Sequence, residues 1–382
     1  MEYRDDGLRS WSIGPAGRRR YALVRSQSDQ ADFVDHRCGL LERMPKWLIC
    51  VPLALQWLVL ALRYRSITLP STVNAAITSG GLIGEGKLEY FEGMGPVARA
   101  ATAEHCAIST GSKRTRAQLR RIMRTAGLSF PVVAKPDVGL CGYGVRLLSN
   151  SKELLAYVAA FPLNETIVLQ RYLPQEGEAG IFYARDPDTD EGRIIGLALR
   201  RFPQVVGDGC HSIGDLIALD PRRNRLRQSG RAWLGEAGSR IPRAGEVVRL
   251  ATVGSTRVGG VYRNGGKYVT PQLTAAIDAI ARDMPSFYFG RFDVRFPSLH
   301  ELQTAGAFTI MEINGAGSEA IHAWDPDIRL WTGLGMIFAK QRLLFSIGAA
   351  RRGCGARPIT LRKLIQLYRR QARLIPLYPQ SN

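Results

Sequence analysis

Side chains that can hold a metal ion are concentrated in residues 287–318, FYFGRFDVRFPSLHELQTAGAFTIMEINGAGS. The pattern predicts two short strands joined by a polar loop. Alternation places Arg291 and Asp293 on one face of the first strand, and Glu312 and Asn314 on one face of the second. Carboxylate and amide oxygens suit Mg²⁺, which takes further ligands from water and substrate phosphates. The alternative is an ordinary edge hairpin with a solvated charged face.

A lysine and three glycines follow one another in residues 130–148, FPVVAKPDVGLCGYGVRLL. The β-branched residues predict a strand that carries Lys135 near its end, and Gly139, Gly142 and Gly144 predict a flexible turn into a second strand. Glycines let backbone N–H groups approach phosphate oxygens, and the lysine can neutralise them. A glycine-rich hairpin without a ligand is the alternative.

Residues 81–87, GLIGEGK, match the first seven positions of a phosphate-binding P-loop. The eighth position should be Ser or Thr to hold Mg²⁺, but it is Leu88, and the preceding residues are a poor buried strand. A P-loop is therefore disfavoured, although Lys87 can reach a phosphate in another fold.

Composition favours an anionic partner. The chain has 382 residues, enough for two or three domains, and a formal net charge of +19. Nucleotide phosphates, an acidic membrane surface or nucleic acid would all suit this charge. No nucleic-acid recognition module is recognisable, so we expect no specific nucleic-acid partner. The six cysteines have no CxxC spacing, which argues against a disulfide framework or zinc site and predicts a cytoplasmic location.

The N-terminal region predicts a mobile arm over residues 1–30, followed by the apolar run WLICVPLALQWLVLAL at residues 47–62. A membrane-spanning helix needs about 20 apolar residues. This run is shorter and contains Pro52 and Gln56. Three alternatives remain open: a buried helix, an interfacial or re-entrant membrane helix, and a full span.

The C-terminal segment is basic, because eleven Lys and Arg residues and no acidic residue follow Asp327. Residues 358–375 predict an amphipathic helix with arginines on one face. Such a helix can lie on anionic lipid, or it can cover the domain core with its apolar stripe.

The order of these motifs resembles the ATP-grasp superfamily, and within it the D-alanine–D-alanine ligase-like carboxylate–amine ligases. The resemblance covers about residues 85–325 and is strongest in PVVAKPDVGLCGYGV, GRFDVRF and IMEINGAGS. Residues 200–217, RRFPQVVGDGCHSIGDLI, are similar to segments of cyanophycin-synthetase-type ATP-grasp modules. The resemblance implies an α+β ATP-grasp fold, in which two α+β subdomains clamp ATP.

Four regions follow from this resemblance. They are an N-terminal arm with an apolar, membrane-facing region at 1–84, a first ATP-grasp subdomain with the glycine-rich loop at 85–185, a second subdomain with the metal site at 186–340, and a basic C-terminal helical tail at 341–382. The first and last regions are atypical for the family, whose members begin with a βαβ domain.

The resemblance also implies roles for individual residues. Lys135 would contact the nucleotide phosphates and act in catalysis with Arg291, which would stabilise charge on the acyl centre. Lys87 would be the family's earlier phosphate lysine, with Lys113 as the fallback. The remaining implied ATP contacts are the closing loop of Gly139, Gly142 and Gly144, the adenine connector of Gln170, Arg171, Tyr172 and Leu173, the ribose ligand Glu178, and Met311 on the adenine ring. Asp293, Glu312 and Asn314 would bind magnesium.

The implied activity is ATP-dependent joining of a small-molecule carboxylate to an amine through an acyl phosphate, with two Mg²⁺ ions, or Mn²⁺ in their place. The segment after Asn314, GAGSEAIHAWDP, differs from the end loop of the dipeptide ligases, which argues against D-alanine as the substrate. We expect the enzyme in the cytoplasm, at the inner face of the membrane. The alternatives are a phosphotransferase using the same cleft, and a non-catalytic basic protein that binds a membrane surface.

Overall fold

The protein is described by a computed structural model over residues 37–112, 114–220, 222, 235–251 and 254–381. It combines helices with antiparallel sheets, so the predicted α+β class is confirmed. The arm predicted for residues 1–30 and the fallback Lys113 lie outside the described residues.

The α-helices of the described ranges are α1 (Leu40–Arg43), α2 (Lys46–Arg63), α3 (Lys87–Glu92), α4 (Pro96–Ala100), α5 (Arg116–Thr125), α6 (Ser151–Ala159), α7 (Ile213–Leu219), α8 (Pro271–Arg282), α9 (Leu299–Gln303), α10 (Leu330–Gly353) and α11 (Leu361–Leu374). The strands are β1 (His105–Ser109), β2 (Val132–Pro136), β3 (Arg146–Leu148), β4 (Thr166–Arg171), β5 (Gly177–Arg185), β6 (Gly192–Arg201), β7 (Gln204–Val206), β8 (Val247–Arg249), β9 (Val261–Asn264), β10 (Phe289–Phe296) and β11 (Thr309–Asn314).

Two sheets form the body of the fold. The first has the strand order β1-β4-β2-β3, and the second has the order β11-β10-β5-β6-β9. Leu119 of α5 and Leu154 of α6 share a buried core with Val132 of the first sheet. Ile277 of α8 packs in the core of the second sheet with Val294.

Strand β10, between β11 and β5, is buried along its whole length and has a different core on each face. Successive side chains of a strand point to opposite faces. Phe292 and Val294 lie in the core with α8, whereas Phe289 on the other face shares a core with Leu344 of α10. Arg291, two residues beyond Phe289, therefore continues the α10-facing side of the sheet.

The edge strand β11 is covered by the segment that leads into β1. The Ala103 N–H donates to the Ile310 carbonyl at 2.9 Å, and the Ile310 N–H donates to the Ala101 carbonyl at 2.8 Å. Residue Thr102 forms a parallel bridge with Ile310 between these bonds. The backbone N–H and carbonyl of Ile310 on this edge are thus satisfied within the chain.

Two of the predicted boundaries differ from the elements. β5 pairs on one side with β10 and on the other with β6, so residues 177–185 belong to the second sheet. The connection between the two sheets is therefore residues 172–176, between β4 and β5. The predicted boundary at 185 instead falls at the end of β5, inside the second sheet. The boundary at 340 falls inside α10, since Leu330–Gly353 is one continuous helix.

The apolar run forms α2, which is long and apolar enough to cross a membrane by length and composition alone. Only 11% of its 18-residue window is buried. Ile49 and Leu60 face the protein, whereas Trp47 is 66% and Leu62 is 78% exposed. The buried-helix alternative is therefore wrong, and the interfacial and spanning alternatives stay predictions.

The C-terminal helix α11 covers part of the protein core. Leu374 and the following Tyr378 pack in the core of the first sheet. Leu361, Ile365 and Tyr368 remain exposed. The core-covering alternative thus holds for the end of the helix, and a lipid contact of its outer side stays a prediction.

Candidate active site

The side chains predicted from the sequence as metal ligands lie together on two paired strands. β10 and β11 are antiparallel, with Asp293 opposite Glu312 and Arg291 opposite Asn314. The register shifts at a bulge immediately after Asp293. The predicted strand pair is confirmed. Arg291 and Asp293 are buried, whereas Glu312 and Asn314 on the edge strand are half-buried.

Asp293 is 1% exposed and is held by two arginines. Arg291 forms a fork, with Nε 2.7 Å from Oδ1 and Nη2 3.0 Å from Oδ2. The Nη2 atom of Arg200 lies 2.9 Å from Oδ2, and Asn314 Nδ2 donates to the same oxygen at 3.2 Å. A buried carboxylate is tolerated only when charges and hydrogen bonds compensate it in this way.

Arg200 connects this carboxylate to a second one. Its Nη1 atom lies 3.1 Å from Oε1 of Glu178, and Arg295 Nη2 lies 3.1 Å from Oε2 of the same side chain. Burial alone would lower the pKa of Arg200, but Asp293 and Glu178 raise it overall, so the guanidinium stays charged. Both Glu178 oxygens face arginines, and the ribose contact implied for this residue stays a prediction.

Lys135 joins the two sheets beside this network. It lies near the end of β2 and is 5% exposed. Its Nζ donates to Gln170 Oε1 at 2.8 Å and to the Met311 carbonyl of β11 at 2.7 Å. Burial lowers the pKa of Lys135 to about 8, although the nearby Glu312 acts in the opposite direction. The Lys135 side chain is therefore charged near neutral pH and loses its charge in mild base.

Lys87 approaches Glu312 from another element. It begins α3, and its Nζ lies 3.4 Å from Glu312 Oε1. Burial would raise the pKa of Glu312, but the positive charges of Lys87, Lys135, Arg291 and Arg200 outweigh it and lower the pKa to about 2. Glu312 is thus an anion at any physiological pH. The turns before α3 provide no buried strand, so the GLIGEGK segment is not a P-loop.

The glycine loop, defined as residues 138–144, lies in contact with Lys87. Gly142 and Gly144 have φ of +76° and +75°, a region that suits glycine. A Cβ atom at Gly139 would stand 2.9 Å from Lys87 Nζ. The glycine at this position therefore permits the loop and the lysine to lie in contact.

The predicted adenine connector is only partly at the site. Gln170 touches Lys135, and Leu173 is buried. Arg171 points toward the surface, where it pairs with Glu104. Met311 is tied to Lys135 by its backbone carbonyl. The adenine contacts of Arg171, Tyr172, Leu173 and Met311 stay predictions.

The donor chemistry fits a hard cation. Asp293, Glu312 and Asn314 offer two carboxylates and one carboxamide, the oxygen ligands that Mg²⁺ prefers. Both Asp293 oxygens accept hydrogen bonds from arginines here, so a bound metal ion would have to replace some of these partners. Within the described residues, no group of three or more His, Cys, Asp or Glu side chains could hold a metal ion by itself. A metal here would thus need Asn314 or the oxygens of a bound phosphate to complete its shell.

Cations outnumber carboxylates among the side chains that form this network of contacts. The carboxylates are those of Glu178, Asp293 and Glu312, and the cations are Lys87, Lys135, Arg200, Arg291 and Arg295. Among these eight side chains, five positive charges face three negative ones. Glu85 adds a further carboxyl group close to Lys87 and Glu312. A cluster in which cations outnumber their carboxylate partners favours an anionic ligand.

Sequence reasoning missed Arg200 and Arg295. Arg295 lies two residues beyond Asp293, so the period-2 pattern that placed Arg291 and Asp293 on one face also includes it. Arg200 had a weaker signal, since it belongs to the RRFPQVV segment noted for its similarity to other ATP-grasp modules.

The chain shows a local sequence match to one curated protein and a low overall similarity to several solved structures. No family model matches the chain. It is 33% identical over 101 residues to the glutathione biosynthesis bifunctional protein GshAB of Streptococcus agalactiae, a match covering 25% of this chain and 12% of that protein. Among solved structures, a bifunctional glutathione synthetase from Pasteurella multocida gives a TM-score of 0.34 at 17% identity, covering 70% of this chain and 38% of that one. The ATP complex of D-alanine–D-alanine ligase from Bacillus anthracis gives 0.35 at 14% identity, covering 64% of each chain.

The chain is similar to ATP-grasp ligases. The 33% identity over 101 residues agrees with the resemblance predicted from the motifs. The matched segment is about one eighth of the length of the curated ATP-grasp relative.

Proposed function

We propose that this protein is an ATP-dependent carboxylate–amine ligase. The observation that carries the proposal is the excess of cations over carboxylates in the network around Lys87 and Lys135, with the glycine loop in contact with Lys87, since a nucleotide triphosphate would compensate these cations. The similarity to ATP-grasp ligases supports the same activity. ATP is the proposed nucleotide, and Lys87, Lys135 and the glycine loop are its proposed phosphate contacts.

The chemistry requires activation of a carboxylate. Its oxygen attacks the γ-phosphorus of ATP, ADP leaves, and the amine then displaces phosphate from the acyl carbon. Phosphoryl transfer depends mainly on positioning and neutralisation of charge, which Lys87 and Lys135 would provide. Mg²⁺, or Mn²⁺ in its place, would supply further neutralisation and would be held by Asp293, Glu312 and Asn314.

Arg291 is the proposed stabiliser of the tetrahedral oxyanion formed when the amine attacks. Its Nε and Nη2 atoms are bound to Asp293, and Nη1 donates to the Glu319 carbonyl at 3.2 Å. These bonds fix the plane of the guanidinium before substrate arrives. Preorganised donors are effective because they need little reorganisation during the reaction.

The test is ATP-dependent phosphate release in a screen of carboxylates and amines, followed by mass spectrometry of the product. We expect ADP, phosphate and an amide from the wild-type protein, and loss of all three in Lys135→Ala and Glu312→Gln. The exposed Lys152→Ala variant is the matched control and should retain activity. A phosphorylated product would identify the phosphotransferase alternative, and no nucleotide turnover with any pair would contradict the proposal.

We also propose that the enzyme works in the cytoplasm against an anionic membrane surface. The exposed apolar side of α2 supports this, with Lys46 and Arg63 at its two ends. The protein should sediment with vesicles containing phosphatidylserine at low salt, and Leu55→Glu with Val59→Glu should abolish sedimentation. Equal sedimentation of this double variant and the wild type would contradict the membrane proposal.

A further inference from the structure

The end of the chain donates hydrogen bonds to the backbone of the glycine loop. Gln371 Nε2 donates to the Gly139 carbonyl at 2.8 Å, and the Tyr378 hydroxyl donates to the Val138 carbonyl at 2.6 Å. The Ser381 hydroxyl donates to the Gly142 carbonyl at 2.8 Å. Three side chains from one short C-terminal segment thus hold carbonyls of a loop more than 200 residues away in sequence.

These donors are firmly placed. Gln371 is 6% and Tyr378 is 8% exposed. The Tyr378 ring stacks on Phe161 at a centroid distance of 5.1 Å, and Leu374 lies in the same core. A Cβ atom at Gly144 would stand 3.0 Å from the Tyr378 Cβ. The segment is therefore packed into the first sheet and is close to the loop along its length.

The backbone N–H groups at the tip of the glycine loop are available to a ligand. The N–H groups of Leu140, Cys141 and Gly142 find no hydrogen-bond acceptor within the part of the chain that the structure describes. The carbonyls of Val138, Gly139 and Gly142 are held by the C-terminal side chains. Successive free N–H groups in a turn form an anion-binding concavity.

Helix α11, which carries Gln371, also packs against the segment that leads into Lys87. A Cβ atom at Gly84 would stand 2.9 Å from the Leu367 Cβ of α11. Gly84 lies three residues before Lys87, whose Nζ is in contact with Gly139. One C-terminal helix therefore supports both the lysine segment and the glycine loop.

We propose that Gln371, Tyr378 and Ser381 are positioning residues that hold the glycine loop in its phosphate-binding form. This inference rests on the proposed nucleotide site. The side chains do not touch the ligand; they fix the carbonyls, and the N–H groups of the loop are thereby presented to the phosphates.

The first measurement follows the loop itself without nucleotide. Leu140 and Tyr143 are exposed at the loop tip and are chymotrypsin sites, so cleavage there, mapped by mass spectrometry, reports loop opening. Gln371→Ala and Tyr378→Phe should each speed this cleavage about fivefold, the effect of one hydrogen bond. Exposed residues of the same types on α11 provide matched controls, and Gln366→Ala and Tyr368→Phe should cleave like the wild type.

The second measurement is the ATP dissociation constant by calorimetry, which should rise about fivefold in Gln371→Ala and Tyr378→Phe and stay unchanged in the two controls. Unchanged cleavage in both test variants would overturn the inference. Faster cleavage with unchanged ATP affinity would also overturn it, because the segment would then only stabilise the fold. If the wild type binds no ATP, the nucleotide proposal fails, and the positioning role fails with it. The cleavage rates would still show whether Gln371 and Tyr378 restrain the glycine loop.

Discussion

Arg200 is the residue whose loss should disturb the site most. Its guanidinium lies between two buried carboxylates, 2.9 Å from Asp293 and 3.1 Å from Glu178. Removing one member of a buried ion pair typically costs about 3–5 kcal/mol. Each carboxylate keeps a second arginine, Arg291 for Asp293 and Arg295 for Glu178. We therefore expect Arg200→Met to lower the free energy of unfolding by about 3 kcal/mol, the lower end of that range.

Equilibrium unfolding in urea, followed by tryptophan fluorescence at pH 7, measures this difference. Arg193 lies exposed on the same strand, and Arg193→Met should change the free energy of unfolding by less than about 0.5 kcal/mol. Arg200→Lys should recover part of the loss, because it restores the charge but not both contacts. If Arg200→Met costs no more than Arg193→Met, the buried network does not contribute as we have reasoned.

Two further predictions concern the lysine and the glycine loop. Because the pKa of Lys135 is lowered to about 8, its charge is present below that pH and lost above it, so the ATP dissociation constant should rise about tenfold between pH 7 and pH 9. Calorimetry across this range checks it; Lys135→Met should bind weakly with no such pH dependence, and an equal dependence in that variant would assign the titration to another group. Gly144→Ala should lower the free energy of unfolding by about 2 kcal/mol, because φ is +75° and the new Cβ would stand 2.7 Å from Pro136 Cγ. Gly127 has a φ of +69° and no atom within 4 Å of a Cβ, so Gly127→Ala should lower the free energy of unfolding by about half as much in the same assay. Equal losses in the two variants would show that the contact with Pro136 contributes nothing.

Local sequence patterns were sufficient to predict the strand pair β10–β11 and its acidic and amide side chains. Asp293, Glu312 and Asn314 stand at period-2 positions in apolar runs, so their common side follows from strand geometry alone. The same reasoning placed Lys135 near the end of β2. Its contact with the Met311 carbonyl could not be predicted in this way, because it depends on how the two sheets meet.

Features that depend on long-range pairing were out of reach. Arg200 meets Asp293 only because β5 lies between β6 and β10, an order that neither strand encodes by itself. The same pairing explains why the boundary predicted at 185 separated β5 from its sheet. The hydrogen bonds of Gln371 and Ser381 were equally hidden, since a polar residue in a basic C-terminal segment has no sequence signal for its partner.

The covering of β11 by residues 101–103 bears on how copies of this protein can associate. An uncovered edge strand offers a row of N–H and C=O groups to a strand of another molecule. Here Ile310 already exchanges both of its backbone hydrogen bonds with Ala101 and Ala103. Edge-to-edge pairing with another molecule at Ile310 would therefore first require residues 101–103 to separate from β11.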